Sequence, residues 1–164
     1  MQIKYRGGQT FEVKSKDLEI NFSGNLSING FVFPGPGEYE KGGVIINGIA
    51  DGDNTIYIIH LEDMTVCHLG KINHGLSEEE AKQAGDIDIL FLPLGQDGSA
   101  DLKTSLKSLS KIDPRIVVPM LFDESILNEF KKSEGYTDGE LDILKIKKID
   151  LPEEERKIVI LAAL

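Results

Sequence analysis

The chain has 164 residues, of which 40% are apolar and 28% charged, as is typical of a globular domain with a buried core. Its formal net charge of −10 argues against nucleic acid as a partner, because neutralising phosphates requires a basic surface. The single cysteine, Cys67, excludes an internal disulfide and fits a reducing compartment. We see no signal peptide and no apolar run long enough to span a membrane. We therefore expect one domain over residues 1–164, in the cytoplasm, without a membrane partner.

The first half of the chain has the pattern of antiparallel β-structure, in which short apolar or alternating runs are separated by turn residues. The runs that predict strands are 3–5, 11–13, 18–22, 26–28, 31–33, 44–46, 56–61 and 64–69. Asn29-Gly30 predicts a tight hairpin. Glu62-Asp63 predicts a two-residue turn.

The second half alternates helices and strands. Ser77-Glu-Glu-Glu80 forms a capping box at the start of a helix. Nearly all-apolar runs predict strands buried on both faces. The strands predicted here are 87–92, 115–120 and 157–161, and the helices that follow the first two are 101–112 and 123–132. A β-rich half followed by strand–helix alternation predicts an α/β layered sandwich.

Several motifs follow one another in a characteristic order. They are Gly35-Pro-Gly-Glu-Tyr-Glu40, Gly43-Val-Ile-Ile-Asn-Gly-Ile49, Asn54-Thr-Ile-Tyr-Ile-Ile59, His68-Leu-Gly70, Asp86-Ile-Asp-Ile-Leu90 and Asp113-Pro-Arg-Ile-Val-Val-Pro-Met120. This series resembles the small metal-dependent hydrolases of the metallo-β-lactamase superfamily, in the branch related to the bacterial ascorbate-phosphate lactonases. The resemblance covers most of the chain, from about residue 35 to the end. It implies a shortened αββα sandwich with two mixed β-sheets and outer helices, one flank being thin.

The resemblance also implies metal ligands that this sequence lacks. Active members bind zinc, iron or manganese through a His-x-His-x-Asp-His run, a separate His, a bridging Asp and a final His. No histidine lies in residues 21–33, where the run would stand, or between residues 49 and 54, where the separate His would stand. The bridging Asp corresponds to Lys71 and the final His to Leu121. We therefore expect no catalytic residue, no metal ligand and no cofactor. The vestigial site positions are Gly70, Lys71, His74 and Leu121.

The chemistry of the two substituted positions strengthens this expectation. A divalent ion about 5 Å from the Lys71 ammonium would meet a repulsion of roughly 7 kcal/mol at an effective dielectric constant near 20. Leu121 offers no lone pair to an ion. Because the ion generates the nucleophile by lowering the pKa of bound water, the inherited hydrolysis has neither hydroxide nor Lewis acid.

The three histidines do not converge in the predicted register. With a turn at Glu62-Asp63, His60 faces Thr65 and His68 faces Tyr57, on opposite sides of the sheet. We interpret His74 as a loop anchor that hydrogen-bonds Lys71 or a backbone carbonyl.

Asp51-Gly-Asp53 is interpreted as a hairpin turn, although its two carboxylates could also touch a cation weakly.

Two functional classes remain open. The first is a non-catalytic relic, or pseudoenzyme, that acts as a binding or assembly subunit. The alternative is a metal-dependent hydrolase of phosphodiester or lactone type with a relocated site. We also expect loss of the loop and its helix to uncover apolar sheet surface and unpaired edge strands, which favours a homo-oligomer or a paralogue partner.

Overall fold

The computed structural model describes residues 1–164 as two β-sheets packed face to face, with three α-helices. The strands are β1 (Gln2–Gly7), β2 (Thr10–Ser15), β3 (Leu18–Phe22), β4 (Leu26–Ile28), β5 (Phe31–Val32), β6 (Gly37–Lys41), β7 (Val44–Asp51), β8 (Asn54–Leu61), β9 (Met64–His68), β10 (Ile89–Pro93), β11 (Ile116–Met120), β12 (Leu144–Lys145) and β13 (Lys157–Ile158). The helices are α1 (Glu78–Ala84), α2 (Leu102–Ile112) and α3 (Glu124–Ser133), with a short 3₁₀ turn at Lys148–Asp150. None of the helices is long and apolar enough to cross a membrane.

The strand order is β12-β1-β2-β3-β4-β5 in the first sheet and β13-β11-β10-β9-β8-β7-β6 in the second. Strands of the first sheet pair antiparallel, and a parallel bridge joins Tyr5 to Ala163. In the second sheet β6 to β9 are antiparallel, whereas β9, β10, β11 and β13 are parallel. The predicted pair of mixed sheets is therefore confirmed.

Two tight turns fix the register of the hairpins. Asn29 and Gly30 have φ values of 48° and 79°, and Glu62 and Asp63 have 52° and 59°. Two successive residues with positive φ make the turn type that matches the twist of antiparallel strands. The second turn pairs Tyr57 with His68 and His60 with Thr65, as the sequence predicted.

Aromatic side chains join the two sheets in the core. Phe11 of the first sheet stacks on Phe91 of the second, with ring centroids 4.0 Å apart, and both are fully buried. Tyr5 also stacks on Phe11, with ring centroids 4.8 Å apart. Alternation places these residues inward, because every second residue of a strand faces the same side.

All three helices pack on the outer face of the second sheet, where their buried residues meet those of β8 to β11. The outer face of the first sheet carries no helix, so one flank is thin, as expected. The residues on that face are Gln2, Lys4, Arg6, Glu12, Lys14, Glu19 and Asn21. The expectation that an apolar sheet surface is uncovered is wrong here, because these outward positions are polar or charged. Exposed apolar side chains do occur at Phe31 and Val32 of the edge strand β5.

Candidate functional site

The loops after β9, β10 and β11 meet at one edge of the second sheet, because these strands are parallel. The β7–β8 turn lies at the same edge, because β8 runs antiparallel to β9 and begins where β9 ends. Every position that the sequence predicted to be vestigial lies at or near this strand-end edge.

His68 lies buried beneath this edge, with 2% of its surface exposed. Its Nδ1 accepts a hydrogen bond from the Gly70 amide at 3.1 Å, so Nε2 carries the proton and donates to the Gln9 carbonyl at 2.8 Å. Burial lowers the pKa of His68 to about 4, and Phe22 stacks on its ring at 5.0 Å. His68 is therefore a neutral residue that ties the second sheet to the β1–β2 loop.

Asn54 connects the β7–β8 turn to the loop after β9. Its Nδ2 donates to the Leu69 carbonyl at 2.9 Å and to Asp51 Oδ2 at 3.2 Å, while its Oδ1 accepts from the Lys71 amide at 3.0 Å. A Cβ at Gly70 would lie 2.1 Å from Asn54 Oδ1, and Gly70 has φ of +63°. Gly70 thus has a structural role, because only glycine leaves room for the Asn54 side chain beside the backbone here.

The Lys71 side chain extends from the edge into solvent. It is 42% exposed, and its Nζ lies 3.6 Å from Asp97 Oδ2. A polar cavity of about 520 Å³ opens beside it. The residues that line this cavity are Gln9, Gly24, Asp51, Gly52, Asp53, Asn54, Lys71 and Asn73.

Leu121 turns inward, away from this cavity. It is 1% exposed and packs in the core between the sheets. Its amide donates to the Gly8 carbonyl at 3.1 Å. Its φ is +52°, a left-handed conformation that costs a bulky residue energy and in which Asn, Asp and His are enriched. The backbone at position 121 therefore has a conformation in which histidine is common, whereas the Leu121 side chain packs in the core.

His74 is held at the rim by two acceptors. Its Nε2 lies 2.6 Å from Asp51 Oδ1, and its Nδ1 lies 2.8 Å from the Gly75 carbonyl. Asp51 first, and then the carbonyl, raise the pKa of His74. The expected carbonyl partner is confirmed, but the side-chain partner is Asp51 rather than Lys71. The predicted hairpin turn at Asp51 is also confirmed, and Asp51 pairs with Asn54 across it.

Glu80 completes a group that the sequence did not reveal. One possible ligand atom each from Asp51, His74 and Glu80 lies within 4.8 Å of the other two. Glu80 was interpreted only as a cap, a role that is confirmed by its contact with the Ser77 amide at 2.7 Å. The capping box placed Glu80 at the start of α1, near His74, but no local signal pointed to Asp51.

The four positions predicted to be vestigial therefore differ in their surroundings. Gly70 and Leu121 are buried in the framework, whereas Lys71 and His74 lie in the exposed rim with different acidic partners.

Comparison with known proteins gives a consistent result. A beta-lactamase superfamily domain model matches residues 12–121. A structure from Thermotoga maritima, described as a Zn-dependent hydrolase of the metallo-beta-lactamase superfamily, matches with a TM-score of 0.81 and 20% identity, over 99% of this chain and 100% of that chain. A metallo hydrolase from the hyperthermophilic archaeon Ignicoccus hospitalis matches with a TM-score of 0.62 and 16% identity, over 89% of this chain and 99% of that one. The structural matches show the fold, and with the family match they show that this chain belongs to the beta-lactamase superfamily and has the metallo-β-lactamase fold.

Proposed function

We propose that this protein is a non-catalytic member of its superfamily, a relic of a metal-dependent hydrolase that acts as a binding or assembly subunit. The observation that carries this proposal is the placement of the two substituted ligand positions. Lys71 presents an ammonium beside the polar cavity, and Leu121 is buried in the core.

The residues at the inherited positions do not fit a divalent ion. Zinc, iron and manganese need nitrogen, oxygen or sulfur donors, and Leu121 has none. To leave the core, the Leu121 side chain would lose about 1.5–3 kcal/mol of burial free energy. We therefore derive no hydrolytic step at these positions.

Activity assays test the proposal directly. The protein, supplied with excess Zn²⁺, Mn²⁺ or Fe²⁺, should hydrolyse phosphodiester and lactone substrates no faster than a metal-only blank. The double variant Lys71→Asp/Leu121→His should also stay at background, because the remaining ligands of the inherited site are missing from the sequence. Metal-dependent turnover by the wild-type chain would overturn the proposal.

The alternative, a hydrolase with a relocated site, has one observation in its favour: the Asp51, His74 and Glu80 group. This alternative predicts metal-dependent hydrolysis of a phosphodiester or lactone substrate. The activity should be lost in His74→Gln and retained in the control His60→Gln. His60 is a suitable control because it is exposed and its ring hydrogen-bonds Thr65.

We infer that the assembly role uses the edge of the sandwich where β5 and β6 lie. Both are edge strands, and edge strands offer unpaired backbone groups to another chain. Phe31 and Val32 are 52% and 56% exposed there. The partner is a second copy of this chain or a paralogue, and the polar outer face of the first sheet stays in solvent.

Light scattering at micromolar concentration tests the assembly role. The wild-type chain should have at least the mass of a dimer, and Val32→Lys should lower it to the monomer mass. Ile149→Lys is the control, because Ile149 is also exposed but lies in the distant 3₁₀ turn. A monomer mass for the wild-type chain, unchanged on concentration, would contradict this role.

We also propose that the protein is cytoplasmic. Cys67 is free and buried, and burial raises the pKa of its thiol to about 12. Such a thiol neither pairs nor reacts, so the proposal requires no oxidising compartment. Cell fractionation would contradict it by placing the protein outside the cytoplasm.

A further inference from the structure

Three side chains from three different segments converge at the rim of the polar cavity. Asp51 is the last residue of β7, His74 comes from the loop after β9, and Glu80 from the first turn of α1. One ligand atom of each lies within 4.8 Å of the other two. We propose that these residues bind a divalent cation of the zinc or manganese class, through a set of ligands different from the inherited one.

The orientation of His74 is the first argument. Its Nδ1 lies 2.8 Å from the Gly75 carbonyl, an acceptor, so Nδ1 carries a proton and donates it. Nε2 lies 2.6 Å from Asp51 Oδ1 and donates to it when the ring is protonated. A cation bound by both atoms would take the place of that proton. Histidines that bind metals almost always donate their other ring N–H to a carbonyl or carboxylate, which fixes the ring and directs the free nitrogen at the ion.

The two carboxylates are oriented in the same manner. Asp51 Oδ2 accepts a hydrogen bond from Asn54 Nδ2 at 3.2 Å, and that amide also donates to the Leu69 carbonyl at 2.9 Å. Glu80 Oε2 accepts from the Ser77 amide at 2.7 Å. Each carboxylate thus has one oxygen fixed by a hydrogen bond from Asn54 or from the Ser77 amide. The other oxygen can bind an ion while that hydrogen bond stays in place.

The charge of the group also favours a divalent cation. Asp51 and Glu80 together carry two negative charges, which one imidazolium neutralises only in part. A divalent cation bound with neutral His74 balances both carboxylates. One nitrogen and two oxygen donors suit zinc and manganese, and the exposed rim leaves the remaining coordination positions to water.

This inference does not depend on the relic proposal, because a surface cation can be bound by a protein that catalyses nothing. Lys71 belongs to the same loop as His74, and its amide shares Asn54 with Asp51. Removing this nearby positive charge in Lys71→Gln should tighten cation binding, since like charges repel.

Isothermal titration of the full chain, stripped of metal, with Zn²⁺ and separately with Mn²⁺ tests the proposal. We expect one saturable site. Each of the variants Asp51→Asn, His74→Gln and Glu80→Gln should weaken binding at least about 10-fold, since even the loss of a group that only orients a ligand costs 10–100-fold. Gln at position 80 keeps an oxygen for the Ser77 amide, so α1 remains capped.

Each ligand has a matched control. Asp63→Asn removes an exposed carboxylate from the β8–β9 turn, Glu79→Gln one from the same turn of α1, and His60→Gln an exposed histidine. These three variants should bind within about 2-fold of the wild-type chain. Far-ultraviolet circular dichroism of every variant checks that the fold is intact.

The outcomes separate this inference from the relic proposal. No saturable binding below millimolar cation, or equal weakening by the controls, would overturn the site and leave the relic proposal standing. Binding without hydrolysis supports both. Binding accompanied by hydrolysis that His74→Gln abolishes supports the site and overturns the relic proposal.

Discussion

The strand-end edge contains two regions that differ sharply in their surroundings. His68, Gly70 and Leu121 form a buried frame whose polar groups bond across the two sheets. Asp51, Lys71 and His74 form a rim held by ion pairs, in which the Lys71 and His74 side chains are exposed and Asp51 is mostly buried. The frame is part of the core, so the fold needs it whether or not anything binds at the rim. Under the relic proposal, this difference accounts for a superfamily fold that persists without the inherited ligands.

The largest effect should come from the core that supports the frame. Phe91→Ala removes a fully buried ring that stacks on Phe11 at 4.0 Å. We expect it to lower the free energy of unfolding by about 3–5 kcal/mol, through lost burial and a cavity. Urea denaturation measures this, and a loss below 1 kcal/mol would mean that the two sheets do not share this core.

Acid should also destabilise the protein through the frame. The pKa of His68 falls from its usual value near 6.5 to about 4 in the folded state. Between these values the unfolded chain binds the proton and the folded chain does not, so stability falls as the pH drops. The loss should reach about 3 kcal/mol by pH 4.

Urea denaturation from pH 7 to pH 4.5 tests this prediction. His68→Phe should show a shallower loss of stability with falling pH than the wild-type chain, whereas His60→Gln should follow the wild-type chain. Equal slopes for His68→Phe and the wild-type chain would show that His68 does not carry this dependence.

A smaller effect should reveal the backbone strain at Leu121. Leu121→Ala and Leu121→Gly both empty the same part of the core, but only glycine adopts positive φ freely. Leu121→Gly should therefore be more stable than Leu121→Ala by about 1 kcal/mol, because the left-handed conformation costs roughly 1–2 kcal/mol. Thermal unfolding of the two variants gives the difference, and the reverse order would exclude strain at this position.

The smallest effect should come from the rim. Lys71→Ala removes an exposed ion pair with Asp97, and such pairs contribute at most about 1 kcal/mol. Asp97→Asn is the matched variant and should behave alike in urea denaturation. A decrease of more than about 2 kcal/mol in the free energy of unfolding of either variant would show that the rim contributes to stability as core residues do.

Much of the fold could be predicted because its signals are local. The turns at Asn29-Gly30 and Glu62-Asp63 set their hairpins, and the second turn alone fixed the histidine register. The capping box at Ser77 set the start of α1. In each case the deciding residues lie within a few positions of one another.

Two features were not predicted, for different reasons. The contact between His74 and Asp51 joins residues 23 positions apart, and it depends on how the β7–β8 turn meets the loop after β9. The alternation of β1 and β2 already indicated that the outer face of the first sheet is polar. We expected an apolar face instead, because we inferred that a covering helix had been lost. A sheet with one face in water has polar side chains on that face.

The most direct test of the account is anomalous diffraction from crystals grown with excess Zn²⁺. The central claim is that the inherited positions hold no metal, so the map should show no peak near Lys71 and Leu121. A peak at Asp51, His74 and Glu80 would leave this claim intact. An anomalous Zn²⁺ peak located between Lys71 and Leu121 at the strand-end edge would contradict it.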